Sequence, residues 1–405
     1  MGTPQYRPRV VDDQVTRHLA AMGAVVLEGP KACGKTETAR QHAASEVRLD
    51  VDDTAAELAR LDPGLVLDGA TPRLIDEWNI EPRLWNAVRR AVDDRKQPGQ
   101  FLLTGSATPG PDARRHSGAG RMAKVRMRPM SLWESGASTG QVSLAALIAG
   151  KPARGHSELA ITDYASLITR GGWPEIIDAS GGNAERYVRN YFAYAVEHAV
   201  PTVGGPRHDP IRLQRFLQAY ARLSAQTAPL TTIASRAVGG DAPMGGRDKT
   251  LAWHTADAYR DTANRLMLIE DLPAWDPQLR SRTRLAGLPK RHLVDPSLAA
   301  ALLGSNAERL LRDPQTLGYL FESLAARDVL VYAQASNAQV FHYRERDGEL
   351  EADLIVENLD GTWLGIEVEL GDCAVDDAAT ALRKVAERRI ARPPQALVVI
   401  TATEY

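Results

Sequence analysis

Cysteine, lysine, aromatic residues and long apolar runs are all scarce in this chain, and so is any excess of charge. Two cysteines in 405 residues, Cys33 and Cys373, can build neither a disulfide framework nor a zinc site, so a reducing, cytoplasmic setting is expected. A formal net charge of −2 excludes a globally basic nucleic-acid coat but leaves a local basic face open. No apolar run reaches membrane-spanning length and the N-terminus lacks a signal-peptide core, so no membrane partner is expected. Only eight of the 49 basic residues are lysine, an arginine bias that goes with abundant alanine and carries no function by itself. What is present is ordinary globular material, 44% hydrophobic and 25% charged. The length suggests about two or three domains.

The most specific pattern is Gly29-Pro30-Lys31-Ala32-Cys33-Gly34-Lys35-Thr36, which fits GxxxxGK[ST], the phosphate loop called Walker A. Ala24–Glu28 before it reads as a short buried strand, and Thr36–Ser45 after it has helical composition without a breaker. Glycine at 29 and 34 permits backbone geometry that turns successive N–H groups toward phosphate oxygens, and the helix N-terminus adds partial positive charge. Lys35 is the side-chain cation for the β- and γ-phosphates, and Thr36 a magnesium ligand. Cys33 reads as small filler at a free position of the motif. ATP and Mg are therefore the expected cofactors.

Farther on, Pro72–Trp78 reads as a strand ending in Asp76-Glu77, a Walker B candidate in which Asp76 orients magnesium and Glu77 polarises the attacking water. Gln100–Ser106 is another buried strand with small polar residues at its end. Ser106 or Thr104 suits a sensor of the γ-phosphate or the water, and a plain strand-to-loop turn is the competing reading. Strands alternating with helices around a phosphate loop imply an α/β fold, a parallel sheet with helices on both faces.

Four blocks taken together carry a resemblance: LEGPKACGKT, LIDEW followed by IEP and LWNAVRRAVD, FLLTGSA, and GAGRMAKVRMRPMSLWE. They resemble a family of prokaryotic AAA-type ATPases in which the core is followed by a domain of unknown function ending in a nuclease-like fold. The resemblance implies a phosphate-facing or finger role for Arg121, in the Gly120-Arg121 pair. A solvated arginine within the basic segment around Arg114, Arg115, Lys124, Arg126 and Arg128 is the other reading. Where the family often has glutamine after the Walker B acids, this chain has Trp78-Asn79, and the shorter amide leaves any water-positioning role there in doubt.

Residues 136–155, rich in Ser, Gly and Ala, read as a linker. Gly171-Gly172-Trp173-Pro174 matches a further block of the same family. Helices over Glu185–His198, Pro210–Thr227, Leu230–Ala237 and Ala252–Met267 follow, with a loop at Gly239–Gly246. Two candidate strands, Leu268–Leu272 and Lys290–Asp295, complete a helix–turn–helix plus wing. Arg282, Arg284 and Lys290 crowd that wing and are candidate phosphate contacts for DNA. A lid or protein-partner surface is the alternative.

From Pro314 the pattern is helix, three strands, helix, strand, which resembles the PD-(D/E)xK nuclease fold. Asp353 falls at the second-strand acid, and Glu367-Val368-Glu369 stands where that family has E-x-K. Residues two apart on a strand share a face, so Glu367 and Glu369 are expected to converge with Asp353 as magnesium ligands, joined by Glu322. The lysine of the motif is missing, and a nuclease-like scaffold kept for binding competes with a working nuclease.

The expected organisation is an AAA-type core over residues 1–140, a mostly helical winged-helix-like domain over 150–305 and a small α/β nuclease-like domain over 312–405. Beyond ATP, the expected partners are DNA through the wing, a protein partner, or further copies of the chain.

Overall fold

In the computed structural model, the chain divides into two compact units, one ending at Met130 and the other running from Ser131 onward, with Arg265–Met267 grouped with the first. The structure describes residues 6–403 apart from 106–115, 154, 180, 204–208, 238–250, 279, 282–283, 285–286, 346–347, 349 and 389–391.

The first unit is built as α1 (Asp12–Ala21), β1 (Ala24–Glu28), α2 (Lys35–His42), β2 (Ser45–Arg48), α3 (Asp53–Leu61), β3 (Arg73–Asp76), α4 (Leu84–Arg95), β4 (Phe101–Gly105) and β5 (Met122–Arg126). Its sheet has the order β2-β3-β4-β1-β5, and every pair is parallel. The central strands are apolar along their length because both faces are covered. Ala24, Val26, Phe101 and Leu103 face the core made with Leu84, Trp85 and Val88 of α4. Val25, Leu27 and Leu102 face Val15 of α1 and Ala39 of α2. This is the parallel sheet with helices on both faces that the motif order implies. It aligns the strand ends, so loops from β1, β3 and β4 gather along one edge.

The second unit begins with helices: α5 (Leu144–Ile148), α6 (Ile161–Arg170), α7 (Gly181–Val203), α8 (Pro210–Ala221), α9 (Leu230–Ala237) and α10 (Trp253–Arg265). Two short strands, β6 (Gln226–Thr227) and β7 (Lys290–Arg291), pair antiparallel, and bridges join Ile269 to Leu293 and Leu272 to Lys290. Next come α11 (Pro296–Leu302), α12 (Ala307–Leu311), α13 (Pro314–Ala335), β8 (Gln339–Arg344), β9 (Glu351–Glu357), β10 (Trp363–Glu369), α14 (Val375–Glu387) and β11 (Ala396–Thr401). Helices α8, α11 and α13 each start with an Asp cap followed by Pro, which presets the first turn. The four-stranded sheet has the order β11-β10-β9-β8, parallel only between β10 and β11. One face packs Ala326, Val329 and Ala333 of α13, and the other packs Leu382 of α14.

One stretch departs from expectation. Residues 136–155 were expected to be a linker, yet α5 lies within them, and Leu144, Leu147 and Ile148 pack against the sheet core. Small-residue composition concealed three apolar positions at helical spacing. Among the described residues no helix is long and apolar enough to cross a membrane.

Candidate functional site

The loop between β1 and α2 is shaped by its backbone. Gly34 adopts φ 100°, a left-handed conformation that only glycine takes without strain. A Cβ on Gly29 would stand 2.5 Å from the Met127 carbonyl oxygen and 2.9 Å from Cys33 Sγ, so no larger residue fits. Cys33 is fully buried in the core beneath the loop, as filler would be. Lys35, at the start of α2, is buried, and its Nζ donates to the carbonyls of Gly29 at 3.0 Å and Pro30 at 2.8 Å. That ammonium is preorganised over the loop, with oxygen acceptors as its partners.

Asp76, at the C-terminal end of β3, is buried, and its Oδ1 accepts hydroxyl bonds from Thr36 at 2.8 Å and from Thr104 of β4. The loop threonine, the strand acid and the adjacent strand thus meet at one oxygen. Of the two sensor candidates, Thr104 lies in this junction, and Ser106 falls outside the described residues. Glu77 follows in a left-handed conformation, φ 52°, which costs a non-glycine residue about 1–2 kcal/mol and turns the chain sharply beside the acid.

One residue of this loop gave no sequence signal. Arg9 is buried, and its guanidinium donates to the Cys33 carbonyl and the Arg128 carbonyl, each at 2.8 Å. It ties the phosphate loop to the segment after β5. No local pattern marks an arginine before the first helix as such a clamp.

Arg121 needs a correction. It stands just before β5, where its carbonyl accepts from Ala24 N at 3.1 Å and Met122 pairs with Ala24. That is the start of β1, whereas the phosphate loop leaves its far end, five residues or about 16 Å away. The guanidinium is held by Asp93 of α4 at 2.8 Å. Arg121 therefore cannot face a phosphate held by its own chain.

The second unit gathers a charged cluster. Asp353 on β9 lies beside Glu367 on β10, and its Oδ2 accepts from Val368 N at 2.9 Å. Glu369 is less buried but feels the Asp353 charge. Lys290, expected on an exposed wing, is instead 7% exposed; its Nζ lies 2.7 Å from Asp353 and is paired with Glu322 of α13. A cation from β7 thus stands against the acids of β9 and α13. Arg284 likewise forks onto Glu357 at 2.7 and 2.8 Å, and Arg291 pairs with Asp271 at 2.5 Å. Arg284, Lys290 and Arg291 are thus engaged in internal ion pairs, and Arg282 lies outside the described residues.

Burial pushes the Glu367 carboxyl up to about 10, helped by the Asp353 charge, and the Glu322 carboxyl up to about 8. Burial would raise Asp353 too, but the Lys290 ammonium and the bonds from Glu367 and Val368 bring it below its ordinary value. Burial pulls His292 down to about 3. A carboxyl whose folded value is raised stabilises fully below its ordinary value of 4.5 and loses that contribution as pH rises toward the folded value. Glu367→Gln, which can still donate to Asp353, should therefore stabilise the second unit at pH 8 relative to pH 5. The ceiling is roughly 1.4 kcal/mol per pH unit. Urea midpoints at the two pH values check this; an equal shift at both would show that Glu367 ionises normally.

Comparison with known proteins matches residues 22–135 to a family described as an AAA domain. Residues 161–309 and 317–405 match two families described as domains of unknown function, DUF8612 and DUF4143. Two relatives, Uncharacterized protein Rv2008c of Mycobacterium tuberculosis and Uncharacterized protein Mb2031c of Mycobacterium bovis, are each 26% identical over 361 residues. Each alignment covers 88% of this chain and 72% of the relative. A solved structure titled as a DNA replication initiation factor aligns at 12% identity over 64% of this chain and 92% of its own, with a TM-score of 0.25, which carries no weight for function. Over residues 22–135 the first unit is thus similar to the AAA domain family.

Proposed function

We propose that this chain is an ATP-driven switch, in which the nucleotide state of the AAA-type core changes the arrangement of a winged-helix-like region, 150–305, and a nuclease-like region, 312–405. The observation that carries the reading is the junction of Thr36, Asp76 and Thr104 next to the Lys35-capped loop. A bound nucleotide–magnesium complex supplies the transferable phosphoryl group and a divalent charge. The residues present fit it. Lys35 would exchange loop carbonyls for phosphate oxygens, Thr36 and Asp76 would hold the magnesium shell, and Thr104, bonded to Asp76, would keep that carboxylate in place. Glu77, turned out of the strand by its left-handed backbone, accepts a proton from the attacking water.

Glu77→Gln tests this directly. The amide keeps the shape and loses the base, so ATP affinity should stay at the parent level while phosphate release slows by roughly a hundredfold or more. Parent-like turnover would remove Glu77 from the chemistry.

The order α8, β6, α9, α10 and the bridged strands supports the winged-helix-like reading. A DNA role through Arg284 and Lys290 is less supported, because both are engaged in ion pairs. That observation favours the second reading, a nucleotide-dependent switch or scaffold for a protein partner. Salt-dependent DNA binding by the full chain, with ATP present, would reverse the preference.

A further inference from the structure

The carboxylates Asp353, Glu322 and Glu367 come from β9, α13 and β10, and between them they make the donor set a divalent cation uses. Among the described residues, however, no group of three such side chains is arranged to hold a metal ion. The reason is visible in the cluster. Lys290 Nζ stands 2.7 Å from Asp353 Oδ1 and is paired with Glu322 Oε1, so an ammonium occupies the place between two of the would-be ligands. The third, Glu367, is 7% exposed and hydrogen-bonded to Asp353.

We propose that Lys290 is the resident cation of this cluster, closing it to divalent metal in the native chain, and that removing its ammonium uncovers a magnesium or manganese site on Asp353, Glu322 and Glu367. Burial favours the neutral form of Glu322 and Glu367, but Asp353 stays ionised, and a buried carboxylate left without a counter-charge is strongly unfavourable, so Asp353 needs a cation beside it. Lysine meets that need permanently and from a fixed direction, because its backbone is held on both sides. Lys290 N donates to the Leu272 carbonyl at 3.0 Å, and Leu272 N to the Lys290 carbonyl at 2.9 Å, while residue 290 also pairs with Thr227 of β6. Those bonds fix the Lys290 backbone in the ribbon, and the residue is 7% exposed. His292, two residues along, has Nδ1 3.0 Å from Ser323 Oγ and leaves Nε2 buried without a hydrogen-bond partner. That nitrogen is a further ligand type within the same buried region. The native ion pair also ties β7 to β9 and α13, so it is a structural clasp as well as a counter-charge.

The test uses the full chain without nucleotide, so that the phosphate loop does not report. Manganese is the probe, followed by its electron paramagnetic resonance signal and by thermal unfolding. The parent should bind no manganese at the cluster and show no rise in melting temperature. Lys290→Ala should melt lower than the parent in metal-free buffer, gain about one bound manganese, and recover most of the lost melting temperature on adding it. Adding Asp353→Asn to Lys290→Ala should abolish both binding and recovery. If Lys290→Ala is unfolded without metal but folds when manganese is added, the proposal stands. If it stays unfolded with manganese, metal cannot replace the ammonium and the proposal falls. Asp353-dependent manganese binding by the parent would overturn it equally, since Lys290 would then accompany a metal rather than exclude it.

Discussion

Lys35→Ala should lose ATP affinity by roughly two to four orders of magnitude while the protein stays folded. In the structure the Lys35 ammonium is 6% exposed and committed to two carbonyl oxygens of its own loop. A phosphate chain offers the same ammonium stronger, charged acceptors, and charge-assisted hydrogen bonds contribute about 1.5–3 kcal/mol each. Two such bonds amount to roughly 10²–10⁴ in dissociation constant. Alanine also leaves the Gly29 and Pro30 carbonyls without their donor, so the loop loses its preorganisation together with its charge. Isothermal calorimetry with a non-hydrolysed ATP analogue measures the effect, and near-ultraviolet circular dichroism confirms the fold. Parent-like affinity in the variant would remove the phosphate loop as the nucleotide site.

The phosphate loop could be read from sequence because its chemistry is local. Eight consecutive residues carry the turn, the cation and the hydroxyl, and the flanking apolar strand and helix confirm their setting. The same holds for the sheet of the second unit, where short apolar runs such as Leu354-Ile355-Val356 mark strands buried on both faces. What stayed hidden depends on contacts between distant residues. Arg121 follows the sensor strand in sequence, but order along the chain does not reveal that it precedes β5 and so lies at the opposite edge of the sheet from the loop. Lys290 reads as wing charge because it stands beside Arg291 and close to Arg280, Arg282 and Arg284. Its partners, Glu322 and Asp353, lie 32 and 63 positions downstream. Arg9 is concealed for the same reason, since it acts on backbone carbonyls that have no residue signature.

Arg327→Met is expected to have the largest effect on stability in the second unit. The Arg327 guanidinium is 3% exposed and bridges two buried carboxylates: Nη1 donates to Asp295 at 2.8 Å, while Nε and Nη2 donate to Asp328 at 2.9 and 2.7 Å. Those carboxylates have structural work of their own. Asp295 caps α11 through Ser297 N at 2.9 Å and accepts from Gly172 N at 3.0 Å. The neighbouring Gly171 has φ 73° and no room for a Cβ, which would stand 2.4 Å from Ser297 Oγ. Asp328 accepts from Leu132 N at 2.9 Å. Arg327 therefore joins α13, the start of α11, the Gly171-Gly172 turn and the beginning of the unit at one point. Methionine fills similar volume but leaves two buried negative charges uncompensated, and breaking a buried pair in this way costs about 3–5 kcal/mol. Typical domains have only about 5–15 kcal/mol in total, so the unit should be near or past its folding threshold at 25 °C. Adding Asp295→Asn and Asp328→Asn should restore part of the loss, because both charges are gone and each amide oxygen still accepts one backbone bond, from Leu132 N at position 328 and from either Ser297 N or Gly172 N at position 295, where the other bond is given up. Urea titration followed by tryptophan fluorescence reads the change, since five of the seven tryptophans lie in the second unit, among them Trp173, whose Nε1 donates to Ser297 Oγ at 3.0 Å. A midpoint unchanged by Arg327→Met, or no recovery in the triple variant, would show that the stability of this junction does not lie in the charge pairing.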